Sequence, residues 1–151
     1  METKTTITKI EQEDLVNLLC TATYGSDWLS ITAPERTGVT IEDGDCREDI
    51  WAKCLLAHHV IKCQDFNAEG ETYGNLGRVI KKDESAVYFV GLGDIVRGLE
   101  RCADGAFKSD DGSEKGWLRE CWCALIDQSE DFDYPMASAL MQIIMFNELV
   151  Y

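Results

Sequence analysis

The sequence predicts an α+β fold in which a small, mostly antiparallel sheet of three to four strands packs against about five helices. Two patterns lead to this prediction. Short β-branched runs with alternating polarity are typical of strands, and longer segments carry apolar residues at helical spacing. The chain has 151 residues, which suits a single globular domain over residues 1–151.

The first part of the chain alternates between these patterns. Residues 4–10 are rich in β-branched side chains and predict a strand. A helix follows over 11–22, with acids in its first turn, where the positive end of the helix dipole favours them. Residues 30–49 hold a proline, glycines and a dense acidic run, so we interpret them mainly as a loop. The next predicted helix covers 47–59.

The middle of the chain predicts most of the sheet. A strand over 60–66 precedes a turn-rich stretch at 67–77. Residues 78–90 then have the pattern of two strands joined near 83–85. Asp94 is expected to cap the helix that follows.

Two further helices are predicted after a polar loop, over 117–126 and 131–151, with Pro135 near the first turn of the last one. The last helix is apolar almost all round. Such a helix is either central in the core or shared with a partner. We expect the core location, and the alternative is a homodimer formed through residues 135–150.

Charge is the unusual feature of the composition. The chain has 28 acidic and 14 basic residues and a net charge of −14. Such a field disfavours duplex nucleic acid and anionic membranes, and it favours cations or a basic protein surface. The alternative interpretation is that the charge serves solubility.

The cysteines and the apolar segments of the sequence together predict the cellular location of the protein. Seven cysteines with no CxxC pair indicate reduced thiols, most of them small core residues. The sequence has no signal-peptide pattern and no apolar run long enough to span a membrane. We therefore expect a cytoplasmic protein.

Two acidic clusters, at 42–49 and 127–133, are the candidate partner-binding surface. Their carboxylates would meet a basic protein, and the attraction would be weakened by salt. The candidate residues are Glu42, Asp43, Asp45, Glu48, Asp49, Asp127, Glu130, Asp131 and Asp133.

The basic residues concentrate between 78 and 101 and suggest a different site, an anion pocket. Arg97 and Arg101 lie four apart, so they share a helical face. A solvated face with ion pairs is the simpler alternative. The candidate residues are Arg78, Lys81, Lys82, Arg97 and Arg101.

Three carboxylates around a bend, Asp65, Glu69 and Glu71, suggest a divalent-cation site, because hard cations prefer several oxygen ligands. The favoured interpretation is that they are strand-end and turn residues. Two weaker patterns are a Gly91-x-Gly93 turn of the kind that binds dinucleotides and a Cys54–His58 pair.

Several segments, including "LVNLLCTATYGSDWLSI", "FNAEGETYG", "GDIVRGLE" and "ASALMQIIMFNELVY", together resemble small acidic proteins of unassigned function from gut-bacterial genomes, prophages and mobile elements. The resemblance implies binding to a host protein, and it transfers no catalytic or binding residue.

Two functions therefore compete. The first is a non-catalytic acidic protein that binds a basic host protein, such as a defence factor, and inhibits it. The second is a small-ligand protein that binds an anionic nucleotide or a divalent metal ion, either sequestering it or acting as a metal-dependent hydrolase. No catalytic motif is present in the sequence, and no cofactor is predicted.

Overall fold

The computed structural model describes residues 10–24, 26–35, 37–66, 79–82, 85–104, 112–128 and 131–147, without the side chains of 79–86 and 112–115. The elements in chain order are α1 (Gln12–Thr23), β1 (Leu29–Thr32), α2 (Arg47–Leu56), β2 (Ile61–Asp65), β3 (Val79–Lys82), β4 (Ser85–Val90), α3 (Leu92–Asp104), α4 (Gly112–Ile126) and α5 (Tyr134–Phe146). This architecture confirms the predicted α+β class. The predicted turn over 67–77 and residues 4–9 of the predicted strand over 4–10 lie outside the described residues, and Ile10 is buried just before α1.

The four strands form one antiparallel sheet in the order β1-β2-β4-β3. Alternate residues of β2 are buried, as expected for a sheet with one face on the core: Ile61 and Cys63 are fully buried, and Lys62 is exposed. Strand β1 was missed, because we predicted residues 30–49 mainly as a loop. It is only four residues long, and its pairing with β2 is a tertiary interaction that local pattern does not reveal.

Helix α5 is the centre of the core. Every residue from Met136 to Phe146 is buried, and the helix packs against α1, α3 and α4. The core interpretation of this apolar helix is therefore confirmed. The rest of the chain covers every residue from Met136 to Phe146, so this segment offers no exposed face for a homodimer.

The crossing of α3 and α5 depends on Gly98. A Cβ atom at this position would lie 2.4 Å from Ile144 Cγ1 and 2.9 Å from Ile144 Cα. No side chain fits at that separation, so glycine allows the two helix backbones to pack closely.

Helix ends differ by a few residues from the prediction. Helix α3 begins at Leu92, so Asp94 lies in its first turn rather than at the N-cap; its Oδ2 accepts from the Gly91 N–H at 2.8 Å. Helix α4 begins at Gly112, earlier than predicted. The predicted cap function of Asp94 is thus performed from one turn inside the helix.

Candidate functional site

An open groove of about 600 Å³ lies between α1 and α2, and we call it the acidic groove. One face of α1 supplies nearly all of it, because residues three or four positions apart lie side by side on a helix. The N-terminal turn of α2 supplies the opposite edge. The lining residues are Glu11, Gln12, Glu13, Val16, Asn17, Cys20, Thr21 and Asp49.

Carboxylates dominate the electrostatics of the acidic groove. Glu11, Glu13 and Asp49 line it, and the described residues of its lining include no lysine, arginine or histidine. Two of these acids are fixed by helix caps. Glu11 is the N-cap of α1, in a capping box with Asp14, and Asp49 accepts from the Cys46 N–H at 3.0 Å. Acids are stable at these places because helix N-termini carry partial positive charge.

Cys20 and Val16 form the less polar part of the groove. Burial and the nearby Glu48 carboxylate raise the pKa of the Cys20 thiol, so it stays protonated at neutral pH. A protonated thiol behaves as a small hydrophobic group and a poor nucleophile.

Residues 40–46, which we call the acidic loop, lie directly before α2. The loop turns between Glu42 and Asp45: the Asp45 N–H donates to the Glu42 carbonyl at 3.1 Å, and the Glu42 N–H donates to Asp45 Oδ2 at 2.9 Å. Gly44 has a φ of 91°, a conformation that favours glycine. Glu42 and Asp43 are exposed at this turn.

Lys53 of α2 holds the acidic loop in place. Its Nζ donates to the Thr40 carbonyl at 3.2 Å and to Asp45 Oδ2 at 2.6 Å. The Lys53 and Asp45 side chains are only 19% and 14% exposed. Their hydrogen bond lowers the pKa of Asp45 and raises the pKa of Lys53, so both stay charged over a wide pH range.

Glu48 does not belong to the exposed acidic surface on which the sequence analysis placed it. It is 8% exposed, and its Oε1 accepts from Arg47 Nε at 2.9 Å. Burial acts to raise the pKa of Glu48, but the hydrogen bond from Arg47 and further donors outweigh it and leave the pKa lowered. Arg47 also lies over the Trp51 ring, 5.4 Å from its centroid.

The described acids of the second cluster, Asp127, Asp131 and Asp133, are all exposed. Asp133 also has a structural role. Asp133 is the N-cap of α5, and its Oδ1 accepts from the Met136 N–H at 3.1 Å. Glu130 lies outside the described residues.

The structure describes only some of the basic residues between 78 and 101. Arg97 Nη2 pairs with Asp94 Oδ1 at 2.7 Å, and Arg101 Nη2 donates to the Ile143 carbonyl at 3.3 Å, so both have acceptors within the protein. Lys81 and Lys82 lie in β3, opposite Ala86 and Ser85. Arg78 lies outside the described residues.

Asp65, the first residue of the predicted cation site, ends β2 and is fully buried between β1 and β4. This place agrees with the strand-end interpretation. Glu69 and Glu71 lie outside the described residues. Within the described part of the chain, no group of three or more His, Cys, Asp or Glu side chains is arranged to hold a metal ion.

The two weaker patterns gain no support. In the Gly91-x-Gly93 turn, the Asp94 carboxylate already accepts from the Gly91 N–H, where a phosphate would bind. The helix of Cys54 ends at Leu56, and His58 follows it in an exposed turn with a φ of 66°.

The acidic groove was not predicted from the sequence. The acids in the first turn of α1 were the available signal. The contact of α1 with α2, which joins those acids to Asp49, depends on tertiary packing.

Comparison of the chain with models of protein families, with curated proteins and with solved structures finds no match. In the described residues, no helix combines the length and the apolar character needed to cross a bilayer.

Proposed function

We propose that the protein is a non-catalytic binding protein that engages a basic surface of another protein through the acidic groove and the adjoining acidic loop. One observation carries this proposal: among the described residues that line a groove of about 600 Å³, three are carboxylates and none is basic. A lysine or arginine side chain suits it, because the aliphatic stem would lie along Val16 and Cys20 while the charged end meets the carboxylates.

The groove and the loop form one continuous acidic region. Asp49 lines the groove and is hydrogen bonded to Cys46, the last residue of the acidic loop. Glu42 and Asp43 extend the negative charge along the loop. With a net charge of −14, the molecule would also attract a basic partner over a distance and speed its association.

The sequence resemblance supports a narrower form of this proposal. In that form, the partner is a basic host defence protein, and the acidic protein, encoded by a phage or mobile element, inhibits it. A cytoplasmic location is part of the proposal, since all seven cysteines are free thiols.

The test uses purified basic proteins, nucleases among them, and calorimetric titration at low and high salt. Binding to at least one of them should fall steeply as salt rises, because exposed charges are screened. The double variant Glu13→Lys with Asp43→Lys should weaken that binding about tenfold or more. Both side chains are exposed and have no capping contact, so the fold should be retained.

The matched control is Glu35→Lys with Glu120→Lys, which changes the net charge equally at exposed positions, one in the segment after β1 and one in α4. It should leave the affinity within about threefold. Equal losses in the two double variants would show that total charge, rather than this face, determines binding. If the affinity for every basic protein tested were independent of salt concentration, the proposal would be contradicted.

The second hypothesis from the sequence, a small anionic or metal ligand, has less support. Arg97 and Arg101 already bond acceptors within the protein. A thermal-shift series with nucleotides, divalent metals and a chelator tests it, because a ligand that binds the folded state raises Tm. Unchanged Tm values throughout would argue against this hypothesis.

A further inference from the structure

The acidic loop exposes an isoleucine. Ile41 is 61% exposed, and the other large hydrophobic side chains exposed in the described residues are Tyr24 and Phe66. Single exposed apolar residues are common and need no explanation by themselves. Ile41 differs from the other two in its setting: it precedes two exposed acids, Glu42 and Asp43, on a loop with several internal supports.

These supports hold the loop on both sides of Ile41. Before it, the Thr37 carbonyl lies 3.1 Å from His59 Nε2, and Lys53 Nζ donates to the Thr40 carbonyl at 3.2 Å. After it, the turn from Glu42 to Asp45 is closed by its own hydrogen bonds and by Lys53. The backbone on both sides of Ile41 is therefore hydrogen bonded within the protein in the absence of a partner.

Order of this kind favours binding. A loop that is already held in one conformation loses less conformational entropy when a partner docks, so more of the contact free energy contributes to affinity. An exposed apolar side chain followed by two exposed acids also matches the usual arrangement of protein interfaces, in which an apolar anchor has a polar rim.

We propose that the acidic loop is a preformed recognition element, in which Ile41 inserts into an apolar cleft of a partner protein whose rim carries lysine or arginine. Glu42 and Asp43 then meet those basic side chains. This inference rests on the proposed function, and it adds to it the anchoring residue and the chemistry of the partner's cleft.

The experiment selects peptides from a displayed library of random short sequences on the immobilised full-length protein at low salt. Selected peptides should combine lysine or arginine with a large apolar residue. Ile41→Ser should weaken their binding about tenfold or more, because an anchor residue loses its burial. The matched control Phe66→Ser removes a similarly exposed apolar side chain, and the affinity should stay within about twofold of wild type.

Lys53→Met gives a second measurement. It leaves Ile41 in place and removes the support of the loop, so the same peptides should bind more weakly, with the loss smaller than that of Ile41→Ser. Circular dichroism of all three variants checks that they remain folded.

The outcomes separate this inference from the proposed function. If the peptides bind Ile41→Ser as tightly as wild type, yet lose affinity with salt and with Glu13→Lys and Asp43→Lys, the inference is overturned and the proposed function stands. If peptide binding depends on Ile41 but is unaffected by salt and by the charge changes, both the inference and the proposed function are overturned. A library that yields no basic and apolar peptides overturns the inference, and the panel of basic proteins then tests the proposed function separately.

Discussion

Helix α5 and helix α2 show two different uses of a helix in this protein. Helix α5 is buried from Met136 to Phe146 and carries no charged side chain in that range. Helix α2 buries Trp51, Ala52 and Leu55 on one side and carries the groove acid Asp49 and the loop support Lys53 on the other. The first helix stabilises the fold through packing, whereas the second presents charge at the surface. Changes in the two regions should therefore have separable effects on unfolding and on binding.

The largest effect is expected at the end of α5. The Phe146 ring is fully buried, with its centroid 5.6 Å from that of Trp28 and 5.3 Å from that of Tyr88. Phe146→Ala should lower the free energy of unfolding by about 3–5 kcal/mol, because it leaves a cavity in the core. Urea unfolding followed by circular dichroism measures this change. Phe66→Ala, at a ring that is 51% exposed, should change stability by less than about 1 kcal/mol.

The second effect tests the close crossing of α3 and α5. Gly98→Ala should lower the free energy of unfolding by about 2 kcal/mol, because its Cβ would overlap Ile144 and overpacking outweighs the better helix propensity of alanine. Gly116→Ala is the matched control in α4, where a Cβ meets no atom within 4 Å. That change should raise stability by up to about 1 kcal/mol. Equal changes in the free energy of unfolding at the two glycines would show that α3 and α5 can move apart to accommodate the added Cβ.

A third and smaller effect separates two acids that the sequence grouped together. Asp133→Ala removes the N-cap of α5, whose Oδ1 accepts from Met136 N–H, and should cost about 1 kcal/mol of stability. Asp131→Ala changes an exposed side chain and should stay within about 0.5 kcal/mol of wild type. Thermal unfolding of both variants checks this, and a loss at Asp131 as large as that at Asp133 would contradict the assignment.

The smallest effect on global stability is expected at the acidic loop. Lys53→Met should speed amide hydrogen exchange at Glu42 and Asp45, whose N–H groups are bonded within the turn. Exchange in α5 should keep its wild-type rate, since local opening does not require global unfolding. Faster exchange throughout the molecule would show that the loop and the core unfold together.

The pH dependence of the loop follows from the same ion pair. The pKa of Asp45 is lowered below its ordinary value of 3.8 by the hydrogen bond from Lys53. A lowered carboxyl pKa stabilises the folded loop above pH 3.8, and this contribution is lost as pH falls through the folded pKa. The difference in loop protection between wild type and Lys53→Met should therefore be constant near neutral pH and shrink below pH 3.8. A difference that persists at lower pH would show that the carbonyl of Thr40 alone anchors Lys53.

Local sequence pattern was sufficient for most of the elements. Helical spacing predicted the last helix and its place in the core, and the paired β-branched runs predicted β3 and β4. Short-range signals of this kind act within a few residues, so they are visible before the chain folds. Strand β1 was not predicted, because pairing with β2 stabilises an element whose local pattern is weak. The start of α4 at Gly112 was not predicted either.

The candidate site likewise has some features that local sequence determines and others that depend on tertiary packing. The sequence by itself determined the excess of acids, their clustering at 42–49 and their preference for helix N-termini, because these are properties of composition and of local backbone. Tertiary structure alone decided which acids act together. It buried Glu48 and brought Asp49 and Glu13 into one groove, whereas the Asp133 cap and the Asp45–Lys53 bond join residues three and eight positions apart. The groove depends on how α1 packs against α2, because residues more than thirty positions apart meet only once the core has formed.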